Sequence, residues 1–448
     1  MLAITESSKV CCFRVGIAFA LQPFMTTRRT SVTRSRGRRV QSPAAALSLT
    51  LTLPGDEGGL TPSLRSVLSA VFSRPRLELA TLNLSLHGKM MLDRIVSGLR
   101  WPVETVPSEV EWMRIVRELA DAHSQHSIAD WKDKPETYHR AAPPLVPSAR
   151  RTVSWRGINC ERLSFDSGYE PPSDEPGVER WLGYENNRTA HAWVLRHRGR
   201  PRPWLVCVHG YGCGTQSLDF AAFRVEWLYR TLGLNVALPV LPLHGPRAHW
   251  WRSGQGFFGG DVLDTLHAEA QAVWDVRRLL SWIRKQGAPP VGLYGLSLGG
   301  YSASVVAALE SDLSCVIAGI PATDFIRLGL MHNSPSYLRL ADKCGLDWET
   351  IKSLYTVISP LHLKPLIPKA RRFIFAGRGD CIVPAEHVHD LWEHWEHPEI
   401  NWYDGSHLSF FWESSVTPFV HSALEATLLN GAGRVGAGEA ALQSLASE

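Results

Sequence analysis

A serine between two glycines is the residue of this sequence best placed to do chemistry. Residues 295–299 read Gly-Leu-Ser-Leu-Gly, with an apolar run at 291–294 before them and small residues at 301–309 after them. The pattern predicts a buried strand, a tight turn and a helix, with Ser297 at the tip of the turn. The N-terminus of that helix would favour negative charge beside the serine hydroxyl. Gly295 and Gly299 suit the turn, because a Cβ at either position would crowd the neighbouring strand and helix.

A serine hydroxyl is a poor nucleophile at neutral pH, so it needs a histidine base, a carboxylate that orients the histidine, and donors for an oxyanion. We expect the base to be His407, which follows a predicted strand at 400–403 and precedes a helix. The sequence has 18 histidines, and four others lie nearby in a helical or loop stretch: His387, His389, His394 and His397. Chain order and the adjacent strand end favour His407.

The carboxylate that best suits this histidine is Asp380. It comes just after a predicted strand at 372–376, at the edge of the sheet where ligands bind in parallel α/β folds. Asp404 is an alternative, but only three residues from His407 it would be badly placed to bond the ring. Asp324, just past the preceding strand, is the stronger alternative.

Two backbone N–H groups are candidates for an oxyanion hole. One belongs to Leu298, the residue after the serine. The other belongs to Tyr211, in the loop after the apolar run at 204–208. Gly210 and Gly212 flank Tyr211 and would let the backbone approach a substrate, so we include both as candidate substrate-binding residues.

A second polar cluster lies at 243–249 and includes Arg247. Arg247 is a candidate for binding a substrate carboxylate, or it could pair with Asp261 and fix a loop. Ion pairs of this kind are common in proteins, so the structural role is favoured. The histidines and aspartates of this region are too irregularly spaced to predict a metal site.

The elements that must position these residues alternate between strands and helices. Apolar or alternating runs predict strands at 152–155, 161–165, 189–195, 204–208, 235–241, 291–294, 315–320, 372–376 and 400–403. Helical patterns occupy most of the intervals, including 220–232 and 265–285. The order predicts an α/β fold with a mostly parallel central sheet and helices on both faces.

The chain divides by composition into four parts. Residues 1–75 are expected to be a disordered N-terminal segment, in which Met25 is a candidate for the true start, and residues 76–150 a helical extension with a linker. Residues 151–430 form the main domain, with a helical cap insertion at about 322–368, and residues 431–448 a flexible tail. Eight apolar cap residues could line an acyl pocket or form the core of the cap itself: Phe325, Ile326, Leu328, Leu330, Met331, Tyr337, Leu338 and Leu340.

Composition limits the class of protein. Of 448 residues, 44% are hydrophobic and 20% charged, which is ordinary for a soluble globular protein, and the formal net charge is only +4. No concentrated basic stripe with interleaved aromatic residues predicts nucleic-acid binding, and no transmembrane segment is visible. The eight cysteines match neither a disulfide framework nor a zinc motif, so free thiols and a cytoplasmic location are expected. The oligomeric state is left open.

Taken together, these motifs resemble the α/β-hydrolase family over about residues 150–430. The order Ser297, Asp380, His407 is the order of nucleophile, acid and base in that family. The resemblance implies the α/β-hydrolase fold and no cofactor, with esterases, lipases, thioesterases and peptidases as similar proteins. The Pro-Leu-His-Gly-Pro-Arg loop at 242–247 is similar to that of uncharacterised bacterial hydrolases.

These observations predict a serine hydrolase that cleaves a small-molecule carboxylic ester or acyl substrate through an acyl-enzyme. A peptidase or thioesterase using the same three residues is the enzymatic alternative. A binding protein that shares the fold without turnover is the alternative from another class.

Overall fold

The computed structural model describes residues 61–72, 84–100, 106–172, 174–287 and 289–430. The predictions for residues 1–60, among them Met25 as the start, and for the tail at 431–448 fall outside the described residues. All of these described residues belong to one compact unit.

Nine strands within the described residues form a single sheet. They are β1 (Ala149–Trp155), β2 (Ile158–Asp166), β3 (Thr189–Leu195), β4 (Trp204–Val208), β5 (Asn235–Pro239), β6 (Val291–Leu296), β7 (Cys315–Gly319), β8 (Arg372–Gly377) and β9 (Glu399–Tyr403). Their order across the sheet is β1-β2-β3-β5-β4-β6-β7-β8-β9. In this spatial order, the neighbouring strands in the series β1-β2-β3-β5 pair antiparallel. The neighbouring strands in the series β5-β4-β6-β7-β8-β9 pair parallel.

The central strands are apolar along their whole length because both faces of the sheet are covered. Trp204, Val206 and Val208 of β4 belong to one hydrophobic cluster, whereas Leu205 and Cys207 belong to the cluster on the other face. This alternation follows from the two-residue period of a strand. Such runs are typical of parallel sheets buried on both sides.

Three α-helices of the described residues precede the first strand, and the others lie between or after the strands. They are α1 (Pro62–Phe72), α2 (Leu84–Arg100), α3 (Glu109–Ile128), α4 (Val178–Leu182), α5 (Glu185–Arg188), α6 (Gln216–Ala222), α7 (Val262–Arg284), α8 (Leu298–Ala307), α9 (Phe325–His332), α10 (Pro335–Lys343), α11 (Trp348–Leu354), α12 (Ala385–His394) and α13 (Val416–Leu424). Short helical turns occupy Pro135–Tyr138, Trp227–Thr231, Gly245–Arg247, Tyr355–Ile358, Lys369–Arg371, Leu408–Phe411 and Glu425–Leu429.

Helices cover both faces of the sheet. Buried residues of α7, α8 and α12 pack in the cluster on one face. Buried residues of α6 and α13 pack in the cluster on the other. The predicted α/β-hydrolase fold, with a mostly parallel sheet between two helical layers, is therefore confirmed.

The predicted helix over 220–232 is wrong, because the structure divides it. Helix α6 ends at Ala222, and a separate helical turn runs from Trp227 to Thr231. Between them Arg224 adopts a φ of +48°, which a continuous right-handed helix does not allow.

Helix α1 lies within the segment expected to be disordered, and this expectation needs correction at Pro62–Phe72. Leu64, Val67 and Leu68 are buried and follow the i, i+3, i+4 spacing of one helix face. The backbone N–H of Thr61, just before the helix, donates to Asp342 Oδ2 at 2.9 Å. This short apolar stripe was not recognised as helical because the surrounding sequence is rich in Gly and Pro.

Candidate active site

Ser297 lies at the junction of β6 and α8, in a backbone conformation that is unusual for a side-chain-bearing residue. Its φ is +56° and its ψ is −114°. Its N–H donates to the carbonyl of Gly319 on β7 at 2.9 Å, and its own carbonyl accepts from Tyr301 at 3.0 Å. These bonds to the adjacent strand and helix hold the serine in a strained turn, as is common at functional sites.

The glycines on either side of the serine allow the strand and helix to approach this closely. A Cβ added to Gly295 would overlap the carbonyl of Gly299, and one added to Gly299 would overlap the carbonyl of Val208 on β4. The crowding expected from the sequence is therefore present at both positions.

The structure brings Ser297, His407 and Asp380 together. His407 Nε2 lies 3.0 Å from Ser297 Oγ, and His407 Nδ1 lies 2.6 Å from Asp380 Oδ2. Asp380 and His407 follow β8 and β9 respectively, and both are buried. Parallel neighbouring strands end at the same edge of the sheet, which explains why residues distant in sequence meet here.

The second oxygen of Asp380 is fixed by its own loop. Oδ1 accepts the backbone N–H of Ile382 at 2.8 Å and that of Val383 at 2.7 Å. Oδ2 is thereby directed to the histidine, and the pair sets a tautomer in which Nδ1 carries the proton and Nε2 can accept from Ser297.

The charge of Asp380 outweighs the effect of burial on His407. Burial alone would lower the pKa of His407, but the Asp380 carboxylate and its hydrogen bond, together with Asp93, hold this pKa above its usual value of 6.5. The imidazolium form of His407 is therefore stabilised where it lies.

The alternative acids lie elsewhere. Asp324 caps α9, where its side chain accepts the N–H of Arg327 at 3.0 Å. Asp404 is exposed and its Oδ1 lies 3.1 Å from Arg378. Neither carboxylate has a hydrogen bond to the His407 ring among the contacts of the described residues.

The alternative histidines have other partners. His387 is buried and its Nε2 accepts from Arg327 Nε at 2.9 Å, while His394 Nε2 bonds the carbonyl of Leu363 at 3.0 Å. His389 and His397 both lie beside Glu393, at 3.7 and 2.9 Å.

The loop after β4 lies directly against the serine. A Cβ on Gly210 would be 3.4 Å from Ser297 Cβ. The ring of His209 connects this loop to the segment after β5. Its Nε2 accepts the N–H of Leu241 at 3.1 Å, and its Nδ1 bonds the Gly210 carbonyl at 2.9 Å. Gly212 has a φ of +75°, which favours glycine at that position.

The two predicted oxyanion donors belong to Leu298, which directly follows Ser297, and to Tyr211, which follows Gly210 in the loop after β4. Leu298 is the first residue of α8, so its N–H is one of the four that have no acceptor within the helix. Tyr211 follows Gly210 in the loop beside Ser297, and its ring lies 5.3 Å from that of Phe258.

Arg247 does not face a substrate, and its partner is not the one expected. It is fully buried, and its Nη1 lies 2.8 Å from Asp275 Oδ2. Nη1 also donates to the Val240 carbonyl at 2.8 Å, and Nη2 to the Asn187 carbonyl at 2.9 Å. The substrate-binding prediction for Arg247 is therefore wrong, because its guanidinium is enclosed by protein groups.

Asp261, the expected partner of Arg247, instead joins a different ion-pair network. Its carboxylate lies 2.7 Å from Arg114 and 3.2 Å from Arg180, and its Oδ1 also accepts the N–H of Asp264 at the start of α7.

Part of the insertion between β7 and β8 surrounds an apolar cavity of about 90 Å³. Phe325, Ile326, Leu328 and Tyr337 are among its lining residues. Phe325 also stacks on Tyr301 of α8 with ring centroids 3.8 Å apart.

The other four apolar residues singled out in this insertion have different environments. Leu330 and Leu338 belong to the hydrophobic core, whereas Met331 and Leu340 are partly exposed. Of the eight apolar residues named in the cap, some therefore line a cavity and others pack within the protein.

Sequence reasoning missed one residue beside the site, Asp93 of α2. Its side chain is buried, and its Oδ2 accepts the backbone N–H of His407 at 2.7 Å. The signal was its position two turns after Leu86 on the buried face of a helix, where an acid is unusual.

Two other kinds of feature are absent from the described ranges. No group of three or more His, Cys, Asp or Glu side chains there could hold a metal ion. No helix in the same ranges is long and apolar enough to cross a membrane.

Comparison with solved structures finds an acetyl xylan esterase from Paenibacillus sp. R4 at a TM-score of 0.46 and 16% identity, covering 67% of this chain and 93% of that one. An acetyl xylan esterase 1 from Thermoanaerobacterium sp. JW/SL YS485 gives a TM-score of 0.47 and 16% identity, covering 66% and 92%. No family model matches the chain.

Comparison with curated sequences finds Uncharacterized protein Rv2627c of Mycobacterium tuberculosis, which is 44% identical over 360 residues. The alignment covers 78% of this chain and 84% of the relative. Uncharacterized protein MT2702, from another strain of that species, is also 44% identical over 360 residues. The chain therefore belongs to the family of these two mycobacterial proteins.

Proposed function

We propose that the protein is a serine hydrolase that cleaves a carboxylic ester through an acyl-enzyme intermediate. One observation carries the proposal: the continuous hydrogen-bonded series Ser297 Oγ, His407 Nε2, His407 Nδ1 and Asp380 Oδ2, with donor–acceptor distances of 3.0 and 2.6 Å. A nucleophile, a base and a group that orients the base are what acyl transfer by a serine requires.

Acylation begins when Ser297 Oγ attacks the ester carbonyl carbon and its proton moves to His407 Nε2. Asp380 stabilises the imidazolium that forms, which agrees with the raised pKa of His407. His407 then returns the proton to the alcohol oxygen as the C–O bond of the ester breaks. The alcohol leaves, and the acyl group remains on Ser297.

Deacylation repeats these steps with water. His407 removes a proton from a water molecule, whose oxygen attacks the acyl carbon. The bond to Ser297 Oγ then breaks and the serine recovers its proton from His407. The free carboxylic acid leaves, and no cofactor enters either half of the reaction.

The N–H groups of Leu298 and Tyr211 are proposed to stabilise the oxyanion in both halves. Support comes from the position of Leu298 at the N-terminus of α8 and from the contact of the Gly210 loop with the serine. Each donor of this kind contributes roughly 10²–10³-fold to kcat in serine hydrolases.

The apolar cavity beside the insertion supports an acyl group as the part of the substrate that is bound there. Its wall residue Phe258 has its ring centroid 5.3 Å from that of Tyr211, whose backbone N–H is a proposed oxyanion donor.

The test is hydrolysis of p-nitrophenyl esters of graded acyl length by the wild type and by Ser297→Ala. We expect turnover that depends on Ser297, and the dependence of the rate on acyl length tests whether the cavity binds the acyl group. Turnover of thioesters or peptide amides in preference to oxygen esters would assign the same three residues to a thioesterase or peptidase. No turnover by the wild type, with no covalent labelling of Ser297 by a fluorophosphonate, would support the binding-protein alternative.

A further inference from the structure

Helix α2 lies outside the sheet and the cap insertion, yet it places a buried carboxylate against the proposed active site. Asp93 Oδ2 accepts the backbone N–H of His407 at 2.7 Å and that of Cys381 at 3.2 Å. Its Oδ1 accepts the backbone N–H of Leu408 at 3.1 Å. Asp93 has no exposed surface.

These three N–H groups belong to the two loops that carry the base and the acid. Cys381 directly follows Asp380, and Leu408 directly follows His407. His407 is the N-cap residue and Leu408 the first residue of the short helical turn Leu408–Phe411. Charge-assisted bonds of this kind are stronger than bonds between neutral groups, so one carboxylate connects both loops.

The rest of α2 contacts the same region. Lys89 Nζ lies 2.6 Å from Glu413 Oε1 and donates to the Asp404 carbonyl at 3.2 Å. Leu86 packs so closely on Gly379 that an added Cβ would be 2.7 Å from Leu86 Cδ1. The helix that carries Asp93 is thus also held against this region by Leu86 and Lys89.

We propose that Asp93 is a positioning residue, through which α2 holds the Asp380 and His407 loops in register and completes the active site. The inference rests on the proposed function of Ser297, His407 and Asp380. It gives the N-terminal extension a role that the sequence alone does not suggest.

The proposal also has an electrostatic consequence. Three ionisable groups face His407: Asp380 from the loop after β8, Asp93 from α2 and His332 from α9. After burial and Asp380, the negative charge of Asp93 is a further cause that raises the pKa of His407. Removing this charge should lower that pKa, so the base would stay neutral down to a lower pH.

The experiment compares wild type with Asp93→Asn in the full chain, using the rate of fluorophosphonate labelling of Ser297 as a function of pH. We expect labelling to slow by about 10²-fold, which is the cost of a small misplacement of catalytic groups. We also expect the acidic limb of the pH–rate profile, where labelling is lost as the pH falls, to move to lower pH. The matched control is Asp404→Asn, which removes a charge only three residues from His407 but from an exposed side chain. It should change neither the rate nor the limb.

Asp93→Glu provides a second test if the amide variant does not fold. It keeps the charge but displaces the carboxylate, so we expect slower labelling with a nearly unchanged limb. Labelling of either variant at the wild-type rate would overturn the inference. So would slower labelling that follows only the loss of folded protein, with the limb unmoved in Asp93→Asn. Failure of the wild type itself to label would contradict the proposed function, which is a separate result.

Discussion

His407 lies between Ser297 and Asp380, and the charge of its neighbours sets the pH at which it can act as a base. Its pKa is raised above 6.5, so the protonated form persists to a higher pH than for an ordinary histidine. A base must be neutral to accept a proton, and activity is therefore lost as the pH falls through this raised pKa.

The pH dependence of ester hydrolysis should show this directly. We expect the acidic limb of kcat/KM to lie above pH 6.5 in the wild type. A limb below that value would contradict the raised pKa of His407, and no dependence on pH would contradict its assignment as the base.

Asp380 and Asp324 are the two possible acids of the site, and substitution of each distinguishes between them. Asp380→Asn removes the charge bonded to His407 Nδ1 at 2.6 Å, and a change of this type costs about 10⁴-fold in kcat in serine proteases. Asp324→Asn alters only a helix cap, so we expect nearly full activity and a stability loss of about 1 kcal/mol or less. Steady-state kinetics of both variants decide between them, and a crippling effect of Asp324→Asn alone would reverse the assignment.

At the residue scale, motif and chain order were enough to select the three residues that meet in the structure. The flanking glycines identified Ser297, and the strand ends that precede them identified Asp380 and His407. Arg247 was assigned the wrong partner, because Asp275 lies in the middle of α7 and no local pattern links the two. Asp93 was missed since its contacts cross 288 to 315 residues of chain.

At the scale of elements, the loop of Arg247 depends on a buried ion pair. Replacing one member of such a pair leaves an uncompensated charge, which costs about 3–5 kcal/mol. We therefore expect Arg247→Met to lower the free energy of unfolding by about that amount, measured by chemical denaturation. The double variant Arg247→Met/Asp275→Leu should recover part of the loss. A stable Arg247→Met protein with a higher KM for an anionic ester would restore the substrate-binding interpretation.

The central strands β4 to β8 were predicted well because burial on both faces leaves an unbroken apolar run, which few other elements share. The helix at 220–232 was not, since the helical pattern continues through Arg224 although the backbone there turns to positive φ. Tertiary packing, and not a local Gly or Pro, ends α6 at Ala222.

At the scale of the whole molecule, the N-terminal helices pack into the same core as the sheet. Helix α3 begins with a capping box, in which Ser108 and Glu111 bond each other's backbone N–H groups. Trp112 of α3 is 1% exposed and its ring lies 5.7 Å from that of Tyr337 in α10. The extension and the insertion are thus joined by direct contact.

Truncating this contact should destabilise the protein as one unit. Trp112→Ala is expected to cost about 3–5 kcal/mol and to shift a single cooperative unfolding transition. Met113→Ala, at the next residue with 60% exposure, is the matched control and should change stability by about 0.5 kcal/mol or less. A separate early transition in Trp112→Ala, seen by calorimetry, would mean that the N-terminal helices unfold independently.

The central claim is that Ser297 carries the acyl group during turnover. The most direct measurement is to quench the wild type during hydrolysis of a p-nitrophenyl ester and to analyse the tryptic peptide of residues 286–327 by mass spectrometry. The account predicts an acyl adduct on Ser297 that is absent from Ser297→Ala and accumulates when deacylation is slow. Turnover with the acyl group on another residue, or with no adduct under any quench condition, would contradict it.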